Sequence, residues 1–373
     1  MYNGISTPKL IKRMKLSTSI FNLHAFNFPQ YLSAFFLTIV LVLLLMPLAK
    51  RLGLVDIPDQ RKLHAHATPM VGGIAMLLAI IAVNMQFQIL DSGMLHLLLA
   101  MAIVGITGVV DDRLDISPRF KFFSQILAAL IVIVLCDLKV TSLGNLFGFG
   151  GVLLPSPLAE ILTVVCIVGV INAINMADGL DGLAAGIVCV SSLAFAYIAL
   201  VVGNYLMLNL IMVTIAVALA FLLFNLGPPL RRQALVFMGD AGSMLLGLLL
   251  TVFAIHITSD STPGLVPPMI AVWIIGLPLM DMGSVMLRRY RRQMRLTAAS
   301  NLHLHHMLVK AGYSRHHAAL FKVSLTSLMA VGGVFAWHYH VPEYVMFYSF
   351  LLVMALYHRR MIKQDDRIAA AAE

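Results

Sequence analysis

Long apolar runs separated by short polar stretches repeat along almost the whole chain. A bilayer-spanning helix needs about 20 mostly apolar residues. Against that length the pattern predicts eleven spans, near 31–49, 71–90, 93–110, 121–137, 158–175, 183–202, 204–224, 242–258, 268–287, 318–338 and 341–358. Two adjacent spans are divided only by Gly203-Asn204, and the last two by a very tight turn at 338–341. No internal repeat or low-complexity tract interrupts the pattern, and the longest hydrophilic stretch, 288–317, is a loop. The expected fold is an all-α polytopic membrane protein with one transmembrane domain over 31–358. Residues 1–30 form an N-terminal extension and 359–373 a tail.

Composition agrees: 60% of the 373 residues are hydrophobic, 12% are charged, and the mean hydropathy is +0.92. Soluble domains carry roughly a quarter charged residues, so a water-soluble enzyme, a disordered tail and a nucleic-acid-binding module are excluded. Cys136, Cys166 and Cys189 each lie in an apolar run and match neither a disulfide framework nor a zinc spacing. The net charge of +9 matters less than where it sits. Twenty of the 26 Lys and Arg fall in the loops after spans 1, 3, 7 and 9 and in the C-terminal tail, whereas the opposite loops hold only Lys139. Basic residues accumulate on the cytoplasmic side, which predicts a cytoplasmic C-terminus and a periplasmic N-terminus. Lys9, Lys12, Arg13 and Lys15 run against that rule, and a start at Met14 would remove three of them.

Ionisable groups at membrane depth are costly and need a reason to be there. Eleven of the 14 Asp fall on the cytoplasmic side or at a helix end facing it, and most of these are clustered. Span 3 ends in G-V-V-D-D-R-L-D, placing Asp111 and Asp112 side by side, where they repel unless a cation or proton intervenes. Span 5 runs into N-A-I-N-M-A-D-G-L-D-G-L, in which Asn172, Asn175, Asp178 and Asp181 recur every three residues and would stack along one helix face. A connecting turn is the plain alternative, because Asp-Gly is a turn dipeptide. In V-F-M-G-D-A-G-S, glycines flank Asp240 at the entry to span 8, where backbone N–H groups and a helix dipole favour an anion. His303, His305 and His306 follow a basic run, 288–295, that would concentrate an anionic substrate. The polar chemistry thus gathers in the loops 50–70, 111–121, 176–182, 225–241 and 288–317.

Carboxylates, Asn, His and basic residues on one face suit a phosphorylated substrate and a hard divalent cation. Eleven spans suit a lipid-borne second substrate. Two other classes remain open at this stage. An intramembrane aspartyl protease would use Gly239-Asp240, and a transporter would place acids near span midpoints beside broken helices.

The motifs D-D-R-L-D, N-A-I-N-M-A-D-G-L-D-G-L, V-F-M-G-D-A-G-S, P-L-M-D-M and H-L-H-H, with G-L-V-D-I-P-D-Q-R-K-L-H…T-P-M-V-G-G-I at 53–74, occur in an order and spacing that resemble the polyprenyl-phosphate N-acetylhexosamine-1-phosphate transferases. The motifs cover about residues 50–315. The peptidoglycan branch of that family, which transfers phospho-MurNAc-pentapeptide, typically carries three consecutive His followed by Phe-Glu. His-Leu-His-His-Met stands here instead, which points to the branch that starts O-antigen synthesis and to phospho-GlcNAc as the transferred group. The resemblance implies that undecaprenyl phosphate attacks the β-phosphorus of UDP-GlcNAc and UMP leaves, in a bacterial inner membrane and on its cytoplasmic face. It implies Mg²⁺, with Mn²⁺ as a substitute, at Asn175 and Asp240. Catalytic duty would fall to Asp111, Asp112, Asp178, Asp181, His303, His305 and His306, and substrate binding to Lys62, Lys121, Asn172, Phe237 and Arg288. It implies no nucleic-acid partner, and the sequence carries no signal for oligomeric state.

Overall fold

The computed structural model describes residues 26–57, 67–87, 91–226, 233–259, 265–295 and 302–370. The N-terminal basic residues, the Met14 start and Lys62 lie outside them. The chain is helical throughout: α1 (Phe28–Leu52), α2 (Gly72–Gln86), α3 (Ser92–Leu114), α4 (Pro118–Val134), α5 (Leu158–Ala177), α6 (Leu183–Val202), α7 (Tyr205–Asn225), α8 (Gly239–Ser259), α9 (Pro268–Ile274), α10 (Gly276–Arg291), α11 (Leu304–Lys310), α12 (Arg315–His338) and α13 (Glu343–Ala370). Two short antiparallel pairs complete it, β1 (Val55–Asp56) with β2 (Thr68–Pro69) and β3 (Ser142–Gly144) with β4 (Val152–Leu153).

Every predicted span coincides with a helix, and eight helices are long and apolar enough to cross a membrane by themselves. A ninth crossing is made if α9 and α10, bent by 74° at their junction, act as one broken span. Of the remaining two, α2, with 15 residues, is shorter than the predicted 71–90, and α4, with 17, has the predicted length but starts three residues earlier. At its other end α13 continues to Ala370, so the expected tail is largely a helical extension.

Local chemistry sets the boundaries. Asn27 caps α1 by accepting from the Gln30 N–H, and Gly53 ends it in the left-handed conformation. Gly203 likewise ends α6, and Asn204 caps α7 by accepting from the Met207 N–H at 3.1 Å, so the narrow division between those spans is real.

An apolar face all round a helix means either a core or a lipid contact. Both occur here. The apolar stretch of α8 is 89% buried, whereas those of α1 and α13 are only 22% and 17% buried and display Phe36, Leu44 and Leu352 outward. So α8 is the axis, packed against α2, α3, α5 and α6. Its neighbours come close because a Cβ on Gly73 would collide with the Gly242 backbone, and one on Gly108 with the Ala241 backbone. The same contact fixes the entrance of α8, where Gly72 and Gly73 donate to the Phe237 and Met238 carbonyls at 3.1 and 2.9 Å, and Phe237 donates to Pro69 at 2.8 Å.

Candidate active site

Four helix termini meet beside the entrance of α8: the end of α3, the start of α4, the end of α5 and the first turn of α8. Asp111, on the last turn of α3, accepts from the Lys121 ammonium at 2.8 Å, and the same ammonium donates to Asp240 at 3.0 Å. Lys121 therefore bridges two carboxylates that are 119 and 10 residues away in sequence. The Asp111 and Asp240 carboxyls also lie close enough to interact directly, so the cation offsets the repulsion between them.

Asp112, next to Asp111 on the helix, faces another way. Its carboxylate accepts from the backbone N–H of Asp240 at 2.7 Å and of Ala241 at 3.4 Å, capping α8 from outside its own segment. The anion foreseen at this glycine-flanked helix start is thus supplied by the chain itself. Gly239, at φ +71°, is required there twice over: its conformation is left-handed, and a Cβ would collide with the Asp112 carboxylate.

The three-residue repeat on α5 holds only in part. Asn172 and Asn175 are on the helix, but α5 ends at Ala177, and Asp178 and Asp181 lie in the turn to α6. The turn forms because Gly182 adopts φ +75° and donates to the Asn225 side-chain oxygen at 2.7 Å. Asn225 also donates to the Val236 carbonyl at 2.9 Å, tying this turn to the strand-like segment that carries Phe237. Asn175 donates to Ser243 at 2.9 Å and reaches Asp240. Asn172, one turn deeper, donates to Gln125 at 2.7 Å and to its own helix at Val168, and so joins α5 to α4 away from the carboxylates. Phe237 is half-buried beside the entrance.

Asp178 is exposed on the turn, with protein packed around it. That crowding, with the charges of Asp240 and Asp181, pushes its carboxyl up to about 7. Two carboxylates thus share one ammonium, with Asp112, Asp178 and Asp181 close to Asp240, and Asp111 Oδ1 is buried and meets no donor. Among the described residues, no three or more His, Cys, Asp or Glu are arranged as a complete metal cage. An ion that keeps its waters and takes one or two carboxylates with substrate phosphates fits this donor set; one that demands an all-protein cage does not.

The histidines form a second centre. Asp281, the acid of the P-L-M-D-M motif, is buried in α10 and saturated. It accepts from Lys322 at 2.6 Å, His303 Nδ1 at 3.2 Å, the Leu304 N–H at 3.1 Å and the Tyr357 hydroxyl at 2.8 Å. Arg288 is also buried, and its guanidinium donates to the Leu302 carbonyl, to Ser284 and to Asp365. In this structure Arg288 therefore braces the loop. His303, His305 and His306 pack together, with ring centroids 5.7 Å apart for the first pair and 4.2 Å for the second. Burial, and then neighbouring cationic groups, hold His305 well below the usual imidazole range and His306 down to about 4, so both are neutral near pH 7. The two centres touch, since a Cβ on Gly179 would collide with His305 Nε2.

Lys322, Tyr357 and Asp365 escaped the motif reading because they lie outside the polar clusters, and Asn225 because it stands alone at the edge of the 225–241 loop. Only Lys322 left a signal, as a lone Lys inside a predicted span.

Residues 94–258 match the family described as glycosyl transferase family 4. Over most of its length the chain is also similar to curated proteins named undecaprenyl-phosphate alpha-N-acetylglucosaminyl 1-phosphate transferase. That of Escherichia coli (strain K12) is 36% identical over 330 residues, 87% of this chain and 88% of that protein. Those of Salmonella typhi and Haemophilus influenzae are 35% and 33% identical, each over 88% of this chain and over 89% and 91% of their own.

Proposed function

The chain belongs to glycosyl transferase family 4, among the undecaprenyl-phosphate alpha-N-acetylglucosaminyl 1-phosphate transferases, and from that premise we propose that it moves N-acetylglucosamine-1-phosphate from UDP-GlcNAc to undecaprenyl phosphate. UMP leaves and undecaprenyl-pyrophosphoryl-GlcNAc remains, as the first step of O-antigen or enterobacterial common antigen-type polysaccharide synthesis. The observation that carries this reading is the Lys121 ammonium held between Asp111 and Asp240, with a spare Asp111 oxygen beside it.

A lipid-phosphate oxygen attacks the β-phosphorus, and the bond from that phosphorus to the α–β bridging oxygen breaks. The sugar C1–O bond is untouched, so the α-anomer is retained with no glycosidase-like carboxylate pair. A phosphate monoester is largely ionised near pH 7, with a second pKa of about 6, so no general base is required. Asp112 is committed to the N–H groups of Asp240 and Ala241, and its part is to hold the α8 entrance in place. Lys121 presents its ammonium where a phosphate oxygen can replace a carboxylate partner. Asp240, Asn175 and Asp111 are the residues that would hold Mg²⁺, or Mn²⁺ in its place. Bound there, the ion would neutralise pyrophosphate charge. His303, His305 and His306, resting on the Asp178–Asp181 turn, would close over pyrophosphate and sugar.

The basic loops support eleven crossings of a bacterial inner membrane, with the N-terminus periplasmic and both the C-terminus and the active site cytoplasmic. α2 and α4 would cross as short helices, α2 largely buried and α4 with one apolar face turned outward. The test is UMP release from UDP-GlcNAc and undecaprenyl phosphate by the purified protein, with Mg²⁺ or Mn²⁺ and with excess chelator. Release with the ion alone supports the assignment, and UMP should then drive the reverse reaction. Equal release in chelator would remove the metal from the scheme.

A further inference from the structure

A charged pair inside a membrane protein is costly to bury and is retained for a use. The Asp281–Lys322 pair is such a case: the whole of Lys322 is 0% exposed and Asp281 2%. Its surroundings assign proton positions on the histidine loop. An ammonium is donor only, and Lys322 Nζ lies 3.5 Å from His305 Nδ1. His305 Nδ1 therefore accepts, and in the neutral ring the hydrogen is on Nε2. Burial and the Lys322 charge keep that ring neutral. On the other side of the pair, the Asp281 carboxylate lies 3.2 Å from His303 Nδ1 and can only accept there, so His303 carries its hydrogen on Nδ1. The two rings lie within 13° of parallel, yet they are wired with opposite polarity.

We propose that Lys322, fixed by Asp281, is a positioning residue that sets His305 as an Nε2–H donor beside a His303 whose Nδ1–H is turned to Asp281. His305 Nε2 is buried, has no partner, and abuts Gly179 in the turn between Asp178 and Asp181. This deepens the phosphoryl-transfer reading and rests on it for its use. The donor edge suits an anionic phosphate oxygen. The loop would then meet a sugar diphosphate through a neutral His305 donor.

The test has one arm that needs no substrate. In ¹⁵N-histidine-labelled full-length protein in nanodiscs near pH 7, signals are assigned by their loss in His303→Gln and His305→Gln. The proposal expects His305 protonated on Nε2 alone and His303 carrying a proton on Nδ1. A proton on His305 Nδ1, or none on His303 Nδ1, would overturn it. Because Lys322→Met alone leaves Asp281 unpaired and can fail to fold, the working variant is Lys322→Met with Asp281→Asn, which removes both charges. A folded double variant should show mixed tautomers, with kcat for UMP release down about tenfold and the KM for UDP-GlcNAc changed less. Unaltered tautomers, or a kcat within about twofold of wild type, would contradict the proposal. If the unmutated protein releases no UMP, the functional reading falls, whereas the tautomer result still decides the wiring.

Discussion

The two polar centres use the same residue types in opposite states. At the entrance of α8, two carboxylates share one ammonium, Lys121 and Asp240 are each 26% open in their side chains, and a buried Asp111 oxygen meets no donor. Around Asp281, one carboxylate meets four donors drawn from α12, α13 and the histidine loop, and almost nothing is exposed. The first centre is unfinished without a ligand. The second is complete without one. Charge left unsatisfied at a rim is available for chemistry, and charge saturated in the interior is scaffold.

That contrast is broken or sharpened most strongly at Asp281. Asp281→Ala leaves Lys322 buried without its counter-charge and should lower stability by about 3–5 kcal/mol, read as thermal unfolding in detergent. A loss below about 1 kcal/mol would erase the distinction. Asp240→Asn should do the reverse: a fall in kcat of about 10²–10³, with stability within about 1 kcal/mol because the pair is partly solvated. Gly239→Ala forces a Cβ into the Asp112 carboxylate at a left-handed position and should cost about 1–3 kcal/mol, with lost activity from a displaced α8 entrance.

A smaller effect concerns pH. The Asp178 carboxyl is raised in the folded chain from 3.8 to about 7, so the folded state binds more protons than the unfolded one between those values. Stability from this group is therefore present below the lower value and is lost as pH rises through the upper one. The unfolding temperature of wild type minus that of Asp178→Asn should fall across this window, and a flat or rising difference would remove the assignment. Least of all, Arg292→Gln breaks an exposed contact with Asp365, at 2.6 Å, and should change stability by no more than about 1 kcal/mol.

Much of the first centre is legible in the sequence, because it is written in short motifs at helix ends. D-D-R, D-G-L-D-G and M-G-D-A-G each name their residues, and the glycines also announce the turn and the close approach. What the motifs hide is direction. Asp111 and Asp112 are neighbours in sequence, yet one meets Lys121 and the other caps α8, since successive helix positions face different neighbours. The three-residue repeat from Asn172 to Asp181 reads as one face, but Gly179 and Gly182 end the helix and divide it. The second centre is nearly invisible because its partners are single residues on distant spans. Lys322 could have been found as the one basic residue that neither side of the membrane claims, and Tyr357 carries no such mark.

The central claim, that phosphoryl transfer occurs at the open centre, is tested most directly by the fate of the β-phosphorus. With UDP-GlcNAc radiolabelled at that atom, undecaprenyl phosphate and Mg²⁺, the label should move to the lipid as pyrophosphoryl-GlcNAc while unlabelled UMP is released. Label retained in a released nucleotide as UDP would mean that the sugar alone had moved, and would contradict the account.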